Sequence, residues 1–143
     1  MSDTADTPRE GASLHELATI SLMPYGRPYE ITGPDLQLDP NFVVSLGMAL
    51  HELATNALKH GAWRGAGRID IEVSDGPGDE VLIVWREGGG AAVAPPSRRG
   101  FGSRLLERGV ARELGGQVSL DFAPGGLVCA IRVPQSDRLR VVR

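Results

Sequence analysis

The sequence predicts a two-layer α/β sandwich, with helices on one face of a mixed, largely antiparallel sheet. Three observations predict it. A strongly marked helix lies near the middle of the chain, with Asp39 as its cap, Pro40 in the first helical position and Gly61 just past its end. Two strand pairs follow, separated by a second helical stretch. Between them lie clusters of glycine and proline, which number 19 and 10 among 143 residues.

Taken in order, Met1 to Ala12 is polar and aperiodic and is expected to be a disordered lead-in. Ser13 and Glu16 form a capping-box pattern that opens a helix running to about Met23 and stopping before Pro24. Tyr29 to Thr32 and Leu36 to Leu38 read as short strands, the first closed by Gly33-Pro34. On the long helix, Val43, Leu46, Leu50, Leu53 and Ala57 follow one apolar face. That helix spans roughly 30 Å at 1.5 Å per residue.

Ile69 to Val73 alternates as a half-exposed strand does, Asp75 to Asp79 is a turn, and Val81 to Trp85 reads as a buried strand. Gly88 to Arg99 has no period and is expected to be a mobile loop. Phe101 to Leu114 reads as a helix broken only by Gly109, and Gln117–Phe122 with Leu127–Val133 as a final hairpin. Residues 13–135 are thus expected to form one domain, with 136–143 a charged, frayed tail.

Composition excludes several classes. Apolar residues at 41% and charged residues at 23% are ordinary for a globular domain, and the length suffices for a core without staples. A net charge of -3 argues against a nucleic-acid partner. A single cysteine excludes an internal disulfide, and Cys129 lies in an apolar run that suits a buried thiol. No signal pattern opens the chain and no apolar run is long enough to span a bilayer, so a cytoplasmic segment is expected. Leu14–Thr19 recurs as Leu50–Thr55, but the identity stops there, with Ile20 where the second copy has Asn56. No third copy follows, so this is not a repeat architecture.

Three features carry chemistry. On the long helix Glu52, Asn56, Lys59 and His60 fall at spacings that stack on one face. Oxygen donors beside an ammonium suit a Mg²⁺–phosphate complex, because magnesium takes few protein ligands and completes its shell with water and phosphate. A solvated helix face would look the same on this helix alone. Gly100-Phe101-Gly102-Ser103-Arg104 stands where a loop runs into a helix, a place where backbone N–H groups can hold phosphate. An ordinary flexible turn is the alternative. Trp85-Arg86-Glu87-Gly88-Gly89-Gly90 sets an acid and glycines at a strand end, where a carboxyl could accept from an adenine amino group. A surface acid is the alternative there.

In this order the three features resemble the N, G1 and G2 boxes of the GHKL ATPase superfamily, which includes gyrase, Hsp90, histidine kinases and MutL. More closely they resemble the HWE sensor histidine kinases, named for an N-box histidine, matched by His51, and a Trp-x-Glu matched by Trp85-Arg86-Glu87. Ala49 to Ala62, Gly33-Pro34 and Gly100 to Glu107 also match that family, and the likeness covers roughly residues 14–134. It implies a Bergerat-type ATP-binding fold with ATP and Mg²⁺ as cofactors. It also implies Asn56 as the metal ligand, Glu52 beside the metal, either orienting water or helping the reaction, and Lys59 with His60 near the phosphates, with Glu52 and Asn56 as the catalytic pair. Glu87 would read adenine, Gly89 would admit the nucleotide, and Gly100, Phe101, Gly102 and Ser103 would line the phosphates. Gly89-Gly90-Ala91 departs from the family's Gly-Gly-Pro, a change expected to loosen the lid without removing a ligand.

A histidine kinase also needs an acceptor histidine on a dimerising hairpin, and no such hairpin precedes residue 13. His15-Glu16 resembles an acceptor superficially but stands on one short helix without a partner. The chain is therefore expected to be the catalytic domain of a longer kinase, or a stand-alone relative acting in trans. It would hold Mg-ATP and present the γ-phosphate to a histidine on a separate dimerisation or phosphotransfer domain, from which a response regulator receiver domain would take it. Alone it would turn over little ATP. The alternatives are an anti-sigma-type serine kinase on the same fold and a non-catalytic interaction domain.

Overall fold

The computed structural model describes residues 11–90, 105–123 and 125–142, of which 105–107 and 123 are described by backbone alone. The elements are β1 (Ala12–Ser13), α1 (Leu14–Leu22), β2 (Tyr29–Thr32), β3 (Leu36–Leu38), α2 (Pro40–His60), β4 (Arg68–Asp75) and β5 (Glu80–Gly88). A widely wound turn, Leu105–Val110, then leads into α3 (Ala111–Leu114), β6 (Gln117–Ala123), β7 (Gly126–Pro134) and β8 (Leu139–Val141).

Local chemistry sets the helix ends. At α1 the Ser13 hydroxyl accepts from the Glu16 N–H at 3.1 Å, while Glu16 accepts from the Ser13 N–H at 3.2 Å, completing the capping box. The α-helix stops at Leu22, and Pro24 is taken up in a tighter 3-10 turn that ends on Gly26 at φ 65°. At α2, Asp39 caps the Phe42 N–H at 2.9 Å with Pro40 in the first position, and Gly61 closes the helix. Leu46, Leu50, Leu53 and Ala57 are buried as the periodicity predicts, and Phe42, Ala49 and Ala54 widen the buried stripe.

The main sheet has five strands in the order β2-β4-β5-β7-β6. The β2–β4 pair is parallel and the others are antiparallel, as predicted for a mixed, largely antiparallel sheet. Ile71, Trp85 and Cys129 lie abreast on β4, β5 and β7. Helices α1 and α2 cover this apolar face, leaving a void of about 20 Å³ between Leu14, Leu46, Leu53, Ile83 and Trp85. No polar group lines it. Among the described residues no helix is long and apolar enough to cross a membrane.

Two expectations at the chain ends are corrected. The described part of the tail expected over 136–143, residues 136–142, is not frayed: β8 pairs with β3, which pairs with β1, in a three-stranded sheet of order β1-β3-β8. Leu139 is 0% exposed, Arg138 reaches Asp39 at 2.9 Å, and its guanidinium lies 4.8 Å over the Phe42 ring. The physical reason is alternation: Leu139 turns inward while Arg138 and Arg140 turn outward, so charge density concealed a strand. Likewise Ala12 pairs with Leu38 in β1 instead of belonging to a disordered lead-in. The remainder of that lead-in, residues 1–10, and the loop over 91–99 lie outside the described residues. Of the helix expected over 101–114, the described part begins at Leu105 and is wide-wound through Gly109 before α3.

Candidate functional site

Helix α2 sets its polar stripe beside its apolar one because residues three and four apart share a face. Glu52 and Asn56 are half-buried, while Lys59 and His60 are exposed on the last turn. Among the described residues none of these four side chains has a hydrogen bond or ion pair. Their polar groups thus face solvent or residues outside those described.

Among the described residues no three His, Cys, Asp or Glu side chains form a metal-holding group. One Asn amide oxygen with a half-buried carboxyl a turn away fits a different case, a magnesium that arrives on phosphate and keeps most of its water.

Glu87 is the residue whose setting differs most from a surface acid at a strand end. It is 4% exposed. Its Oε1 accepts the N–H of Ala62 at 3.0 Å, and its Oε2 accepts the indole N–H of Trp85 at 3.0 Å. Ala62 opens the 3-10 turn Ala62–Arg64 directly after α2, so its N–H faces away from the helix and needs an outside acceptor. The carboxyl thus joins the end of α2 to the end of β5. Glycine makes the closeness possible: a Cβ on Gly61 would collide with Oε1 of Glu87, and one on Gly126 with the Glu87 carbonyl oxygen.

Aromatic rings fix the same joint. Trp63, 0% exposed, donates its indole N–H to the Pro28 carbonyl at 2.9 Å. It meets Trp85 edge-on at 6.4 Å and Tyr25 at 5.5 Å between centroids. Arg27 donates to the Trp63 carbonyl at 2.7 Å. The turn after α2 is therefore tied to β5 twice, by a carboxyl and by a ring pair.

Beyond Glu87 the chain passes through Gly88 to Gly89, which is exposed and takes φ 75°. A side chain there would strain the backbone, so glycine is needed where the strand leaves the sheet. The predicted phosphate residues Gly100, Phe101, Gly102 and Ser103 lie outside the described residues. The sheet face turned away from the helices carries a charged cluster. The Arg68 guanidinium is raised above its ordinary value by its hydrogen bond to Asp70 and that carboxylate's charge, with Glu30 adding to both. Its partners lie at 3.0 Å and 2.9 Å.

The structure brings together the end of the predicted metal helix and the predicted base-reading acid. Sequence reasoning missed that Ala62, Gly61 and Gly126 form the housing of Glu87. It also missed the burial of Glu87, for which a signal existed. Val81, Ile83, Trp85 and Glu87 fall at every second position of one strand, which places all four on the inward face.

No protein-family model matches this chain. Its sequence is 38% identical over 134 residues to a blue-light-activated histidine kinase of Erythrobacter litoralis, covering 88% of this chain and 37% of that protein. The chain thus spans little more than a third of that relative's length. Its fold matches the mycobacterial sensor histidine kinase MprB with a TM-score of 0.69 at 19% identity, covering 92% of this chain and 97% of that one. The histidine kinase ThkA, solved in complex with the response regulator TrrA, matches with a TM-score of 0.58 at 16% identity over 87% of this chain and 41% of that one.

Proposed function

From a chain that belongs by sequence with blue-light-activated histidine kinases and by fold with histidine kinase catalytic domains, we propose an ATP-binding catalytic domain of a cytoplasmic sensor histidine kinase, of the HWE type. The observation that carries the reading is the stripe Glu52, Asn56, Lys59 and His60, without partners among the described residues, which ends at the turn held by Glu87.

In this reading Asn56 holds Mg²⁺ by its amide oxygen and Glu52 orients water beside it. Lys59 and His60 face the phosphates, and Lys59 offsets their charge. Glu87 offers acceptor capacity to the adenine amino group, and Gly89 lets the nucleotide approach. Gly100, Phe101, Gly102 and Ser103 are assigned to the phosphates. The bound metal would neutralise charge on the transferring phosphoryl group. The chain supplies positioning, and a histidine on a separate dimerisation domain or chain supplies the nucleophile. A response regulator receiver domain is the proposed next acceptor, a role suggested by the ThkA–TrrA complex.

The test is transfer from γ-labelled ATP, with Mg²⁺, to the histidine-bearing dimerisation domain of a related kinase. The expected label is lost in acid and kept in base, as phosphohistidine requires. An acid-stable label would point to a serine kinase instead. No nucleotide binding at millimolar ATP would leave only an interaction domain.

A further inference from the structure

Glu87 spends an acceptor site on each oxygen inside the protein, and the partner of Oε2 is a side chain, the Trp85 indole. Each carboxyl oxygen carries two lone pairs, so one remains on each after Ala62 and Trp85 have donated. The last torsion of a glutamate side chain is soft. Held only by Ala62, the carboxyl plane could turn, and held at both oxygens it cannot. Trp85 is itself immobile: it is 2% exposed, and Trp63 packs against its ring. Gly61 and Gly126 close the space around the carboxyl and the carbonyl of Glu87.

We infer that Trp85 is a positioning residue for base selection, its indole N–H fixing the plane of the Glu87 carboxyl so that the remaining lone pairs meet an adenine amino group. This rests on the nucleotide-binding reading above and adds to it a reason for the spacing of Trp85 and Glu87. Two residues apart on a strand, the side chains share a face and stand close enough for the ring to hold the carboxyl.

The experiment is competition of ATP, ITP and inorganic tripolyphosphate against a fluorescent ATP analogue on the full chain and on Trp85→Phe. ITP carries an oxygen where ATP has the amino group, and tripolyphosphate has no base. In Trp85→Phe the preference for ATP over ITP is expected to fall about tenfold, the worth of one hydrogen bond to a charged-type acceptor, with tripolyphosphate unchanged. An unchanged preference, or equal weakening of all three competitors, would overturn the inference and leave Trp85 a packing residue. A full chain that binds no ATP would instead overturn the functional reading beneath it.

Because Trp85 is buried, the same question is also put to the unaltered chain. Its two tryptophans give two indole N–H resonances, and Glu87→Gln identifies that of Trp85. At saturation ATP should shift this resonance more than ITP does, because ITP sets an oxygen where the amino group would share the carboxyl. A shift with ITP as large as that with ATP contradicts the inference.

Discussion

Gly61 and Glu87 stand on different elements, yet a Cβ on the one would collide with Oε1 of the other. The collision is specific to side-chain volume, since Gly61 has φ -123°, a conformation any residue adopts. Gly61→Ala should therefore push the carboxyl off the Ala62 N–H. The expected loss is about 1–3 kcal/mol, typical of overfilling a tight site. Thermal denaturation would show it as a fall of several degrees in Tm, and an unchanged Tm would mean that the joint is loose.

The chain end offers a second prediction. Leu139 is fully buried and anchors β8 on β3, so Leu139→Ala should cost about 2–5 kcal/mol. Arg138→Ala removes an ion pair and a ring contact that are partly exposed, and should cost about 1 kcal/mol. Urea denaturation of the two variants checks the order. Equal, negligible losses would restore the frayed-tail picture.

Neighbouring glycines should behave differently. Gly89 needs φ 75°, whereas Gly88 has no positive φ, and a Cβ added to it would meet nothing within 4 Å. Gly89→Ala should lose about 1–2 kcal/mol of stability and weaken nucleotide binding. Gly88→Ala should leave stability near that of the parent. Denaturant midpoints distinguish them, and identical behaviour would contradict the backbone assignment.

Arg68 gives a pH prediction with a definite sign. Its raised pKa means that its contribution is fully present below the ordinary guanidinium range and is lost only as pH rises beyond it. The difference in Tm between the parent and Arg68→Gln should be the same at mildly acidic and mildly alkaline pH. A difference that grows between them would contradict the assignment of that contribution to the Arg68 charge.

Much of this was legible in the sequence because it is local. Ser13 with Glu16, Asp39 with Pro40, and Gly61 are cap chemistry, which depends on neighbours within a turn. The parallel β2–β4 pairing and the place of β7 between β5 and β6 are contacts between distant segments, which no local period encodes. Strand β8 was hidden because three arginines within residues 136–143 dominate its composition, although alternate positions are apolar. In the site, the stripe from Glu52 to His60 follows from helical spacing. The housing of Glu87 does not, because Ala62 contributes only a backbone N–H, which carries no side-chain signature.

The most direct test of the central claim is calorimetric titration of the chain and of Asn56→Ala with ATP in the presence of Mg²⁺. Asn56 is half-buried and has no partner among the described residues, so its loss should leave the fold and its Tm intact. Mg²⁺-dependent ATP binding by the parent, and its loss in Asn56→Ala, are expected. Normal Mg-ATP binding by that variant would contradict the assignment of α2 as the metal-bearing helix.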